Sequence, residues 1–191
     1  MNELVLLFLG TIFVNNFVFS RFLGLCPYIG VSKKIGDSVG MGLAVIFVLL
    51  LAAVFSWCIQ FYLLQPLHLE YLQTIVFILV IATLVQLVEM ALMKTAPALY
   101  QALGIYLPLI TTNCIILAVA ILNVREQHNL LKTVVFSLGA GAGFMMALVL
   151  MASIRERLEL ANVPKFLKGE PLAFIVAGLI AIAFIGFTGL L

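Results

Sequence analysis

Residues 13–30 read FVNNFVFSRFLGLCPYIG, and residues 106–122 read YLPLITTNCIILAVAIL. Both stretches are apolar enough for a bilayer, and both are broken. The first is interrupted by Asn15, Asn16, Arg21 and a turn from Gly24 to Pro27; the second by Pro108 and the polar run Thr111, Thr112, Asn113. At membrane depth, non-helical backbone survives only where protein or a water-filled cavity covers it. The two stretches therefore predict discontinuous helices in which backbone groups approach a ligand. A cysteine stands at each break, Cys26 and Cys114.

The rest of the chain sets the solvent. Of 191 residues, 65% are hydrophobic and 9% charged, and the mean hydropathy is +1.28. Such a chain cannot cover a water-soluble globule with polar side chains. It reads as an all-α integral membrane protein forming a single domain over residues 1–191, with nothing outside the membrane long enough for a second. The opening MNELVLLFLGTIFVNNF lacks a basic leader and a small-residue cleavage site, so it reads as a retained first span. Three cysteines in apolar surroundings do not make the disulfide framework of a secreted protein. Phosphate loops, dinucleotide fingerprints, zinc-protease helices and nucleophile elbows are missing from the sequence, and no nucleic-acid partner is expected. What remains is electron or ion movement.

Spans of about 17–25 apolar residues suit a bilayer core. Six are expected, at 3–20, 39–63, 71–92, 99–122, 131–152 and 171–190, with the first and fourth discontinuous; the fourth also contains Gly104. Six spans place Arg21, Lys33, Lys34, Lys94, Arg155, Arg157, Lys165 and Lys168 on one side, against Arg125 and Lys132 on the other. The excess of basic residues marks the cytoplasmic side. Both termini then lie outside, periplasmic for a bacterial inner membrane.

The chain also repeats itself weakly. Asn15-Asn16 matches Thr112-Asn113 at an offset of 97, and the Gly40-Met41-Gly42 run matches Gly141-Ala142-Gly143 at an offset of 101. With three spans in each half, the second copy enters the membrane upside down. An inverted 3+3 repeat of this kind places its binding site near the midplane, between broken helices.

Read from the residues alone, Cys26 and Cys114 are either soft metal ligands or small apolar fillers. Their position beside Pro27, Gly24 and Asn113 favours the first, because unpaired backbone amides stabilise thiolate and cluster sulfur. Cys58, in FSWCIQF, reads as a filler. Asn15, Asn16, Thr111, Thr112 and Asn113 either bond between helices or surround a ligand or ion. Glu89 and Glu156 read as interfacial salt-bridging residues ahead of proton or cation relays. His68 and His128, in outside loops, do not make a bis-histidine haem site.

The segments VNNFVFSRFLGLCPYIGVSKK (14–34), GMGLAV (40–45), LGIYLPLITTNC (103–114), SIRERLELANVP (153–164) and FIVAGLIAIAFIGFTGL (174–190) closely resemble a known family. Its members are the homologous membrane subunits of the Rnf electron-transport complex and of the sodium-pumping NADH:quinone oxidoreductase. Asn15-Asn16 favours the Rnf branch. The resemblance implies a six-span inverted repeat paired with a sister chain of opposite orientation, the E-type subunit of Rnf. It also implies a [2Fe-2S] cluster at the pseudo-twofold, two of its ligands being Cys26 and Cys114 and two coming from the partner. The B-, C-, D- and G-type subunits of Rnf, membrane lipid, and Na⁺ or H⁺ are the other implied partners. The implied role is that of a membrane subunit of a multisubunit translocase, an ion-translocating ferredoxin:NAD⁺ oxidoreductase, with no catalysis by the chain alone. Two readings from other classes stand beside it: a small secondary transporter with inert cysteines, and an anchor that docks redox subunits through basic loops.

Overall fold

The computed structural model describes residues 2–67, 70–95, 107–160, 164 and 167–187. His68, Gly104, Lys165 and the last residues of the sixth expected span lie outside these. Among the described residues every regular element is helical. Three helices are long and apolar enough to cross a membrane, at Ile35–Leu64, Gln73–Met90 and Leu130–Glu159; three shorter apolar helical segments cover Glu3–Val14, Leu109–Arg125 and Glu170–Ile185. These six fall on the six stretches singled out by hydropathy.

The chain opens with α1 (Asn2–Leu9), which widens into a π-helical turn at Gly10–Val14, breaks, and resumes as α2 (Phe17–Arg21) and α3 (Leu25–Val31). The long α4 (Ile35–Ile59) also ends in a π turn, Gln60–Leu64. After α5 (Gln73–Thr95) come the short α6 (Leu107–Thr111) and, across a second break, α7 (Cys114–Arg125). The chain then forms α8 (Leu130–Glu159) and α9 (Glu170–Ile185). Pro108 and Pro171 sit in the first turns of α6 and α9, and Pro27 in that of α3. The missing amide hydrogen costs nothing at that position.

α4 and α8 form the central pair, antiparallel and closely packed. A Cβ added at Gly42 would stand 2.6 Å from Met145 Cγ, and one at Gly141 2.8 Å from Ile46 Cγ1. Lipid tails offer no hydrophobic drive toward association, so close backbone approach through small residues supplies the dispersion energy instead. On the other flank of α8, Gly139 meets Thr11 and the carbonyl of Phe8, and Gly143 meets Ile12 and Asn16. Gly40 faces open space, so of the repeated glycine pairs only Gly42, Gly141 and Gly143 mediate contacts. Tyr28, Met41, Val45, Phe77, Ile115, Phe144 and Leu148 are fully buried in the core, while Leu43, Phe47, Ile75, Leu79, Phe174, Leu179 and Ile182 face outward. An apolar exterior of this kind is the surface a bilayer solvates.

Polar contacts tie the two ends. At one, Lys132 Nζ lies 3.7 Å from Glu3 Oε2, and Trp57 Nε1 donates to the His128 carbonyl at 3.0 Å. At the other, Arg155 donates to the Ile29 carbonyl at 2.6 Å and to Ser32 Oγ at 3.1 Å. There Glu156 accepts from the Ile35 amide at 3.3 Å. Glu156 thus serves the start of α4 rather than a salt bridge, and Glu89 has no ion pair with Lys94 among the described residues.

Candidate functional site

Both helix breaks are made by the same device. Asn16 takes an extended conformation (φ −63°, ψ 118°) and its Oδ1 accepts from the Val18 amide at 3.0 Å. Asn113 does the same (φ −71°, ψ 113°), accepting from the Ile115 amide at 3.2 Å. Asparagine is among the best residues for satisfying an orphan amide at a helix start. The two caps stand 97 residues apart, the offset seen in the sequence. Their amide groups differ: Asn16 Nδ2 donates to the Ile12 and Gly143 carbonyls, both at 3.0 Å, whereas the buried Asn113 Nδ2 has no partner among the described residues. Thr111 is half-buried and Thr112 exposed beside it.

The breaks bring the two cysteine segments together. After α2 the chain turns through two left-handed residues, Phe22 (φ 53°) and Gly24 (φ 78°). This aims the Gly24 amide at Cys114, donating to Sγ at 2.9 Å. Cys114 is the first residue of α7, where the orphan amides of the helix start favour negative charge. Cys26 is the second residue of α3, two residues beyond the donor. Both sulfur-bearing side chains are exposed on the surface of the chain, Cys58 is half-buried in α4, and all three are free. No group of three or more His, Cys, Asp or Glu side chains converges among the described residues. Two exposed thiols with an amide at hydrogen-bond distance from one of them fit half of a four-thiolate site completed from outside.

Asn15, exposed at the first break, opens into a cleft of about 620 Å³ lined also by Glu3, Gly10, Thr11, Arg21, Glu126, His128 and Lys132. Arg21 is therefore placed differently from its expected position with the basic residues of the first inner loop. Arg21 ends the short α2 that follows the break and lines the cleft with Phe17, the guanidinium 5.7 Å from the Phe17 ring centroid. It shares the cleft with the residues of the Glu3–Lys132 end. His128 Nδ1 is 3.0 Å from Asn123 Oδ1, and its ring meets Phe136 edge-on at 5.3 Å. Burial holds its pKa below the ordinary histidine value, and Glu126 partly opposes this.

Comparison with known proteins settles the relationship. The family described as "Rnf-Nqr subunit, membrane protein" matches residues 4–191. The chain belongs to the Rnf-Nqr family. It is 56% identical to the A-type subunit of the Na(+)-translocating ferredoxin:NAD(+) oxidoreductase complex of Acetobacterium woodii, over 98% of this chain and 97% of that one. It is 54% identical to the A-type subunit of the ion-translocating oxidoreductase complex of Syntrophotalea carbinolica, over 100% and 98%. The same figures hold for the protein of that name from Vibrio cholerae serotype O1 strain El Tor Inaba N16961. Membership of the Rnf-Nqr family fits the apolar exterior and the broken helices.

Sequence reasoning marked Cys26, Cys114, Gly24, Pro27 and the polar residues of both breaks. It missed the partners that fix them: the Gly143 carbonyl on Asn16, and Phe144, which walls the Gly24 turn. The one signal in the sequence was the glycine run 139–143, which stands out there only by its repetition.

Proposed function

We propose that this chain is the A-type membrane subunit of an ion-translocating ferredoxin:NAD⁺ oxidoreductase, sited in a bacterial inner membrane. The observation that carries the reading is the Gly24 amide on Cys114 Sγ, which joins the segments of two exposed cysteines. Full-length similarity to subunits with that function supports it. Cys26 and Cys114 supply two thiolates, and a homologous chain of opposite orientation, the E-type subunit, supplies two more. A [2Fe-2S] cluster held by these four thiolates would supply one-electron chemistry at membrane depth. The chain's own residues satisfy the interrupted backbone through Asn16 and Asn113 and set a donor against one sulfur.

The chain crosses the membrane six times in an inverted 3+3 arrangement, a reading that the six apolar segments and the paired asparagine caps support. The cytoplasmic end is the one carrying Lys33, Lys34, Lys94, Arg155, Arg157 and Lys168, and both termini are periplasmic. Adding an electron to a low-dielectric site is costly without charge compensation. A cation, Na⁺ or H⁺, drawn toward the breaks offsets that cost, with Asn15, Thr111 and Thr112 as the polar surroundings. The B-, C-, D- and G-type subunits carry electrons to and from this pair.

The test is made on the whole complex in proteoliposomes, with ferredoxin-dependent NAD⁺ reduction and ion uptake followed together. Cys26→Ser and Cys114→Ser are expected to abolish both. Ion uptake that survives either substitution would overturn the coupling and favour a transporter with inert cysteines.

A further inference from the structure

Gly24 has a conformation and surroundings that no other residue type fits. Its φ of +78° lies in the left-handed region, where a side chain is strained. A Cβ there would stand 2.9 Å from Phe144 Cε2 and 3.3 Å from Asn113 Oδ1. Phe144 is fully buried in the middle of the central helix α8 and cannot readily give way. Leu23 ties the turn to α2 by donating to the Phe17 carbonyl at 3.0 Å, and Gly24 itself accepts from the Tyr28 amide at 3.2 Å. The one hydrogen-bonding group of Gly24 left to point outward is its amide, and it points at Cys114 Sγ. Asn113, which caps α7 and so orients Cys114, is the same residue whose Oδ1 borders Gly24. The donor and the sulfur are thus clamped from both sides by Phe144 and Asn113.

We infer that Gly24 is a positioning residue whose amide sets the reduction potential at Cys114, with Phe144 holding the turn in place. This rests on the reading of Cys114 as a cluster ligand. A cluster held by Cys114 would carry one more negative charge when reduced, part of it on the ligand sulfur. A fixed donor at hydrogen-bond distance stabilises the more negative state and raises the potential, as donors to ligand sulfur do in general. Cys26, on the same short turn, has no such donor among the described hydrogen bonds. The donor thus distinguishes Cys114 from Cys26 among the described hydrogen bonds, and its effect on the potential enters at Cys114.

The experiment uses this subunit co-purified anaerobically with its homologous partner. Glycine labelled with ¹⁵N is incorporated into the wild type, and electron spin echo envelope modulation is recorded on the reduced sample. One strongly coupled glycine nitrogen is expected. In Gly24→Ala that coupling is expected to vanish, and the midpoint to fall by about the 59 mV that corresponds to a tenfold change in the reduced-to-oxidised ratio for one electron. If Gly24→Ala loses its iron, the labelled wild type alone decides. Iron-bearing wild type without glycine coupling would overturn the inference and leave the cluster reading intact. Iron-free wild type would overturn both.

Discussion

Asn16 and Asn113 carry the same conformational task with unequal support. Asn16 caps α2 and its amide group also bridges to Ile12 and to Gly143 across the structure, whereas Asn113 caps α7 with its Nδ2 unpaired among the described residues. Removing a cap costs about 1 kcal/mol, and each further buried bond adds about 0.5–1.5 kcal/mol. Asn16→Ala is accordingly expected to lower stability by roughly 2–4 kcal/mol and Asn113→Ala by about 1 kcal/mol or less, read as thermal unfolding in detergent. Equal losses would contradict the asymmetry. That polar residues interrupt both helices is visible in the sequence, since they stand alone in apolar runs. Which of Asn15 and Asn16 does the capping is not, because it depends on the π turn that swings Asn15 outward into the cleft. Arg21 escaped correct placement for the same reason: a linear count of charges assumes that each span runs straight through.

At the scale of elements, the contact between α4 and α8 decides the fold, and glycines decide the contact. Gly141→Ala sets a Cβ 3.2 Å from the Ile46 Cα and 2.8 Å from its Cγ1, so the neighbouring backbone has to move. A loss of about 1–3 kcal/mol is expected from such overpacking. Gly40→Ala, in the same helix pair but facing open space, is expected to be neutral or stabilising by up to about 1 kcal/mol. Comparison of the two melting temperatures checks the assignment of faces. The connection between α7 and α8 carries a pH-dependent element in His128, whose pKa burial lowers. The unfolded chain takes up the proton first on acidification. The stability contributed by neutral His128 is therefore full above about pH 6.5 and is lost as pH falls through the lower folded value. Hydrogen exchange of residues 126–130 is expected to quicken between pH 7.5 and pH 5.5, and His128→Gln is expected to flatten that dependence. The six apolar segments were legible from hydropathy alone. The short α2 and α3 were not, since five and seven residues are too few to show a helical period.

For the whole molecule, the apolar exterior describes a protein made to be surrounded by lipid, and the exposed pair of cysteines is where the proposal seats a protein partner. Cys26 and Cys114 stand out in the sequence because each lies beside a helix-breaking residue. The bond that joins their segments spans 90 positions in the chain and belongs to the tertiary structure alone. The central claim is that these two residues, and not Cys58, hold iron together with a homologous partner. Its most direct test is iron and acid-labile sulfide content, with electron paramagnetic resonance after reduction, on the anaerobically co-purified pair. Wild type and Cys58→Ser are predicted to show two irons and a [2Fe-2S] signal, and Cys26→Ser and Cys114→Ser to lose both. An iron-free wild type, or a signal indifferent to Cys26 and Cys114, would contradict the claim.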